Sequence, residues 1–365
     1  MTVFRTRRTS PADQPELNAV YNRITGRTRM GHIRCLEDMR WIWHQAPGGP
    51  ADSWIVEAES NGGWKIVGHH ALCPIRFTQG DQEWLCAKTI NTFLLPEFRD
   101  QFLYLRFERD CLKEAEIRFD VTYSAAPCAA RLRKTLGYES SVSWVRFDRG
   151  FQPLHLISRA AAAAAGRYSY TAQIRLSSFL ASISAVPSKL PPIELAEYAP
   201  GDNKLPDFFA DFWTEARATA GMAPRREVAD MEWRFWKRPS FQGNILTYSW
   251  PGGGRAYCII DTSDPMQYSL ADFFITHPDP RLFDDLLEAL FVWCARRGAF
   301  ALKFLTTTNG LPLPLMEVVE RKMRPFPLRS FMPHSELTRR LSPSAKTRWN
   351  GVLPDWNATE FLIVA

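Results

Sequence analysis

Between Trp84 and Tyr138 the spacing of apolar positions changes twice. Trp84-Leu85-Cys86-Ala87-Lys88-Thr89-Ile90-Asn91-Thr92-Phe93-Leu94-Leu95 is a largely apolar run and predicts a long, buried strand. Pro96-Glu97-Phe98-Arg99-Asp100-Gln101 breaks it. From about Phe102 to Ala115, Phe102, Leu105, Cys111 and Leu112 fall roughly on one helical face. Arg118 to Tyr123 predicts a second strand, and a short helix runs into Leu136-Gly137-Tyr138. Strand, sharp turn, helix, strand, helix is a βαβα unit. Its first turn sets the N–H groups of a helix N-terminus beside a strand end, which suits a phosphate.

Upstream, Thr2 to Thr6 predicts an edge strand. Ser10-Pro11-Ala12-Asp13 reads as a helix start, with Leu17, Val20, Tyr21 and Ile24 following and Gly26 as the stop. A second helix spans about Ile33 to His44 and ends before Pro47-Gly48-Gly49-Pro50. Ser53 to Ala58 and Trp64 to Pro74 flank Asn61-Gly62-Gly63 as a hairpin. Tyr138 to Phe147 alternates enough for one or two closing strands. The order predicts an α/β (α+β) fold, a mixed sheet with helices on both faces.

The pattern then repeats. Met39-Arg40-Trp41-Ile42-Trp43 has a counterpart in Met231-Glu232-Trp233-Arg234-Phe235-Trp236, each before a proline turn. Strands around Pro251-Gly252-Gly253-Gly254 follow, and Ser269 to Ile275 parallels the central strand. Asp279-Pro280 caps a helix with a Phe283, Leu286, Leu287, Leu290, Cys294 stripe and Gly298 at its end. Ala299 to Leu305 is the next strand, and Phe361 to Val364 the last. The expected architecture is two tandem mixed sheets: residues 1–150, a connector over 151–193 with the Ala160 to Ala165 run, and residues 194–365.

Composition changes this picture little. With 365 residues, two domains are expected. No apolar run reaches the roughly 18 residues of a membrane span. The basic start, Met1 to Arg8, lacks a following apolar region, so a cytoplasmic protein without a secretory signal is expected. Seven cysteines form no Cys-x-x-Cys pair and read as reduced thiols. The formal charge of +6 suits a polyanionic small ligand better than tRNA or DNA, because the basic residues are dispersed. No metal site is expected, since no ligand spacing such as His-x-x-x-His occurs. Nucleotide P-loop, dinucleotide-binding and nucleophile-elbow motifs are also missing.

Leu94 to Gln101 resembles the acyl-CoA-binding turn of the GNAT superfamily of N-acetyltransferases, and Leu132 to Tyr138 resembles the family's later helix, which closes with Leu-Gly-Phe or Leu-Gly-Tyr. In the second half, Val228 to Phe235 is similar to the Trp-Arg-Phe signature of tandem GNAT proteins. The family's loop carries glycines; here Arg99 fits its first position, while Phe102 and Tyr104 stand where small residues belong. The asparagine that commonly precedes the last helix is also missing, Ala125 to Cys128 filling that region. The second copy's loop, Thr276 to Arg281, has no glycine and is expected to bind no CoA.

The resemblance implies acyl transfer from acetyl-CoA or another acyl-CoA to an amine of a small molecule. That chemistry needs a phosphate cradle, a polarising N–H, a base and an acid. The cradle is expected at Arg99, Asp100, Gln101, Phe102, Leu103 and Tyr104, and the N–H in Phe93, Leu94, Leu95. Tyr123, with Tyr104 second, is the candidate acid; Glu97, Asn91 with an ordered water, and His69 or His70 are candidate bases. Consecutive histidines in a strand face opposite ways, so only one of them faces a cleft. Each residue also has a plain structural reading: a half-buried tyrosine, a core histidine, or a glutamate favouring a helix start. Two other functions stay open. One is an aminoacyl-tRNA-dependent transferase like the FemABX enzymes, for which tRNA is the partner. The other is a non-catalytic binding or scaffold protein on the same fold.

Overall fold

The computed structural model describes residues 2–24, 35–60, 62–101, 103–124, 130–151, 194–199, 208–217, 223–239, 241–263, 267–276, 279–299, 301–307, 313–325 and 335–340. The connector from 152 to 193, Phe102, Ala125 to Cys128 and the strand expected at Phe361 to Val364 lie outside them. The first half begins with β1 (Phe4–Arg8), α1 (Gln14–Ile24), α2 (Leu36–His44) and a meander of β2 (Asp52–Ser60), β3 (Gly63–Gln79) and β4 (Gln82–Leu94). A 3-10 turn (Pro96–Gln101), α3 (Leu103–Ala115), β5 (Val121–Ser124), α4 (Ala130–Thr135) and β6 (Glu139–Gly150) complete it. Ser10 opens a 3-10 turn (Pro11–Asp13) that leads into α1, its N–H donating to the Asp13 carboxylate at 2.7 Å.

In the second half β7 (Glu194–Tyr198), α5 (Phe208–Ala216) and the short β8 (Ala223–Pro224) precede α6 (Val228–Met231), which runs into a π turn (Glu232–Trp236). The meander of β9 (Gly243–Ser249), β10 (Arg255–Asp261) and β11 (Gln267–Ile275) follows. Then come α7 (Pro280–Arg296), β12 (Ala301–Thr307), α8 (Leu313–Lys322), β13 (Arg324–Pro325) and β14 (Ser335–Arg340). The expected cap and stripe of α7 are present. The Asp279 carboxylate accepts the N–H of Arg281 at 2.7 Å, and Phe283, Leu286, Leu287, Leu290 and Cys294 are all buried.

The halves share one connection scheme. β2, β3 and β4 pair antiparallel, α3 crosses over, and β5 returns parallel to β4. β9, β10 and β11 pair antiparallel, α7 crosses over, and β12 returns parallel to β11. Each inner strand carries a bulge at the matching place. On β4 the register steps between His69↔Phe93 and Ala71↔Ile90, and on β11 between Ile259↔Asp272 and Ile260↔Leu270. On β4 the bulge turns on Asn91, at φ 50° the sole non-glycine positive φ among the described residues.

The closing strands do not follow the sequence expectation. Tyr138 to Phe147 reads as closing the first sheet, yet β6 divides itself between the halves. Its start pairs with β14 and its end with β12. β14, from the second half, inserts between β5 and β6. Each half therefore lends a strand to the other, and the hydrogen-bonded path β1-β2-β3-β4-β5-β14-β6-β12-β11-β10-β9-β7 is continuous. The counterpart segments also meet: Trp41 stacks on Trp233 at 5.0 Å between ring centroids.

Two buried ion pairs tie elements of the core together. Arg133 of α4 donates to Glu108 of α3 at 2.8 Å. Arg226 binds Asp272 of β11 through two bonds, at 3.0 and 3.1 Å, and the Tyr257 hydroxyl adds a third at 2.9 Å. Burial alone pushes the Glu108 carboxyl up, but Arg133 and His70 outweigh it and hold it below the usual carboxylate range.

Glu108→Ala removes one partner of a buried, charged Arg133 and is expected to cost about 3–5 kcal/mol in urea unfolding. A depressed folded value means that the pair stabilises fully above the ordinary carboxylate pKa and loses its effect as pH falls through the folded one. Unfolding midpoints of Glu108→Gln between neutral and acid pH will accordingly show a shallower acid decline than wild type. At Asn91, glycine meets the positive φ freely whereas a β-branched side chain does not. Asn91→Val should be less stable than Asn91→Gly by about 1–2 kcal/mol, read from the same unfolding curves.

Candidate active site

The candidate site forms where β4 leaves β5. Their parallel pairing covers Cys86↔Val121, Ala87↔Thr122 and Lys88↔Tyr123, and among the described residues it stops there. The bulge lies just beyond. Gly68 permits it: a Cβ at that position would meet Leu94 Cδ1 at 2.9 Å and the Phe93 carbonyl at 3.3 Å. Backbone alternation then decides which groups face the gap. The Leu95 N–H donates to the Val67 carbonyl, so Phe93 and Leu95 turn their polar groups towards β3. Leu94, opposite Gly68, is a non-bonded pair and turns its N–H and carbonyl to the other edge, the side of β5. Of the three residues expected to supply a polarising N–H, the register selects Leu94.

The two histidines do face opposite ways. His69 stacks on Trp43 of α2 at 4.9 Å, while His70 meets Phe107 of α3 edge-on at 6.3 Å. His69 Nδ1 lies 2.7 Å from the Asn91 carbonyl and Nε2 lies 2.8 Å from the Ser53 hydroxyl. His70 Nδ1 is 3.0 Å from the Thr92 hydroxyl. Burial lowers the His70 pKa to about 4, against a smaller opposing pull from Glu108, so the ring is neutral at physiological pH. Neither histidine reaches bulk solvent. The sequence reading treats them as candidate bases and overlooks their bonds to the strand beside them. The signal available was Asn91 itself, a residue that tolerates positive φ inside an otherwise β-favouring run.

The turn into α3 supplies the other half of the site. Arg99 is exposed, and its Nε donates back to the Leu94 carbonyl at 3.0 Å. Phe98 anchors the turn by packing edge-on against Phe4 of β1 at 5.8 Å. Glu97 is exposed, and no contact brings it to Asn91. The side chains of Asp100, Gln101 and Tyr123 lie outside the described set; the Tyr123 backbone pairs with Lys88 on one side and Thr338 on the other. Leu103 is buried in the core. Tyr104 is directed inward, where burial beside Glu108 raises its pKa and keeps the phenol protonated. It belongs to the Glu108–Arg133–Tyr138 cluster, which packs the inner face of α3, and not to the loop surface.

At the equivalent helix start in the second half, Asp279 already occupies the first N–H groups of α7. Burial pushes the Cys73 thiol up to about 12, which suits an inert core thiol. Among the described residues no group of histidine, cysteine, aspartate or glutamate side chains is placed to hold a metal, and no helix is long and apolar enough to cross a membrane.

No protein-family model and no curated protein matches the sequence. Solved structures do match. A probable N-acyltransferase from Enterococcus faecalis superposes with a TM-score of 0.59 at 12% identity, covering 93% of this chain and 73% of its own. A GCN5-related N-acetyltransferase from Anabaena variabilis gives 0.55 at 10% identity, covering 93% and 73%. A tandem GNAT protein from the clavulanic acid biosynthesis pathway gives 0.56 at 13% identity, covering 94% of this chain and 99% of its own. The fold of this chain is that of the GNAT N-acetyltransferases in its tandem form.

Proposed function

We propose that the first half binds an acyl-CoA and passes the acyl group to an amine of a small-molecule acceptor, with the second half shaping the acceptor side. The observation that carries this reading is the gap between β4 and β5 with the Leu94 N–H on its open edge and the start of α3 beside it. A thioester carbonyl at that edge would have its developing oxyanion met by a fixed donor. The pyrophosphate would sit on the N–H groups leading into α3, with the helix dipole behind it and Arg99 at the rim. Proton removal from the amine falls to Glu97 or to a water held by Asn91, and Tyr123 protonates the departing thiolate.

The second half is assigned no donor site on two grounds. The Asp279 carboxylate fills the N–H groups that a phosphate would need and repels it. Asp272, at the second bulge, is committed to Arg226 and Tyr257. The FemABX-like reading draws on a different observation: no glycine occurs from Pro96 to Ala115, so the backbone has no position free of a side chain for close approach to a pyrophosphate.

Thermal shift with CoA and acetyl-CoA tests the proposal. At 100 times its Kd a ligand adds roughly 2.7 kcal/mol. The melting temperature of wild type is expected to rise with either ligand and that of Arg99→Glu to rise little. No rise in wild type, together with salt-sensitive binding of aminoacyl-tRNA, would replace the CoA reading with the tRNA one.

A further inference from the structure

We infer that His69 and His70 are positioning residues that grip the two bulge residues of β4 from opposite faces of the sheet and so fix the direction of the Leu94 N–H. The inference rests on the acyl-transfer reading for its consequence and on the observed hydrogen bonds for its geometry.

A positive φ at a non-glycine residue persists only where its surroundings over-determine it. Asn91 has such a φ, at the point where β4 must turn away from β5. Its carbonyl can only accept, so His69 Nδ1 carries the proton and donates to it. Nε2 makes the ring's second contact, 2.8 Å from the Ser53 hydroxyl. The Ser53 carbonyl is held in turn by the Thr9 N–H at 3.0 Å. The ring has little room to rotate, with Trp43 parallel to it at 15° and Phe93 on the strand beside it. On the other face His70 binds the Thr92 hydroxyl, and its ring is set by Phe107 and Trp54.

One histidine therefore registers residue 91 to α2, and the next registers residue 92 to α3. Leu94 is two residues further on, with no other bulge between. Rotation at the bulge would swing its N–H out of the gap. The second half supports this reading by contrast. Its matching bulge faces Ile259, which offers no side-chain hydrogen bond, and there Arg226 and Tyr257 take hold of Asp272. Both bulges are held by buried polar contacts, but the histidine grip leaves the strand edge open.

The test compares His69→Phe, which keeps the stack on Trp43 but has no donor, with His69→Asn, whose side-chain N–H can occupy the place of Nδ1. Three quantities are measured: thiol release from acetyl-CoA with water or an amine panel as acceptor, the CoA-induced melting shift, and amide hydrogen exchange over residues 91–95. For His69→Phe we expect thiol release to fall roughly 10²-fold, the scale of losing or misplacing an oxyanion donor. The CoA shift should stay as in wild type while exchange over 91–95 accelerates. His69→Asn should recover most of the rate and the slow exchange. Unchanged rate and exchange in His69→Phe would overturn the inference. So would equal loss of CoA binding and rate, or a His69→Asn variant as impaired as His69→Phe. If wild type itself releases no thiol, the acyl-transfer reading fails, and the exchange measurement still decides whether the grip exists. If His69→Phe does not fold, Ser53→Ala replaces it: loss of the Nε2 partner is expected to accelerate exchange over 91–95, and unchanged exchange would overturn the grip.

Discussion

Three parallel residue pairs, Cys86–Val121, Ala87–Thr122 and Lys88–Tyr123, set the geometry of the first half. A parallel pair requires a crossover, so α3 must lie over one face of the sheet. Because the pairing is so short, β4 can turn away at Asn91 and, among the described residues, leave one edge without a paired strand. An open edge exposes backbone N–H and carbonyl groups, which are costly to bury unpaired. The structure meets that cost unevenly. The Leu94 carbonyl receives Arg99, and the Leu94 N–H is directed into the gap. The Glu108–Arg133 pair fixes α3 to α4 with both charged groups fully buried.

The exchange of β6 and β14 makes this arrangement depend on the whole chain. β5 is four residues long and would present an unpaired outer edge if the first half stood alone. β14 covers that edge over Val121 to Ser124, and the end of β6 does the same for β12. Further contacts tie the halves. The Arg225 N–H donates to the Arg76 carbonyl, and the Trp233 Nε1–H donates to the Trp41 carbonyl at 3.4 Å. Helices of one half thus rest on strands completed by the other. Cooperative unfolding of both halves is the natural consequence, since neither sheet is closed until the other half has folded.

Local features of this fold were legible in the sequence because they are set by neighbours along the chain. The Ser10 start, the turn at Gly62, the Asp279 cap and the α7 stripe all follow from short-range chemistry. The strand exchange was not legible, because Tyr138 to Gly150 has the same alternation whichever strand it pairs with. Tyr104, the second candidate acid, is turned by helical phase towards Glu108, a partner visible only once α3 is packed. Asn91 was noticed as a buried amide in need of partners, yet its main role in the backbone comes from its φ and a two-against-one register. Register is a property of two strands together and cannot be read from one.

The two halves show how one scaffold diverges through small changes of charge. Both keep the meander, the crossover helix and the bulge. In the second, a carboxylate caps the crossover helix and another at the bulge is drawn to Arg226 and Tyr257, so the positions that would receive an anion are internally satisfied. In the first, the bulge is held by two imidazole rings, the His70 ring kept neutral by burial. A neutral grip matters physically. A charged group at the same place would add its own field to the edge where the Leu94 N–H points and would bias what can sit there. The His70 imidazole, kept neutral by burial, adds no such charge, so the edge keeps the modest positive potential of a backbone N–H near a helix start.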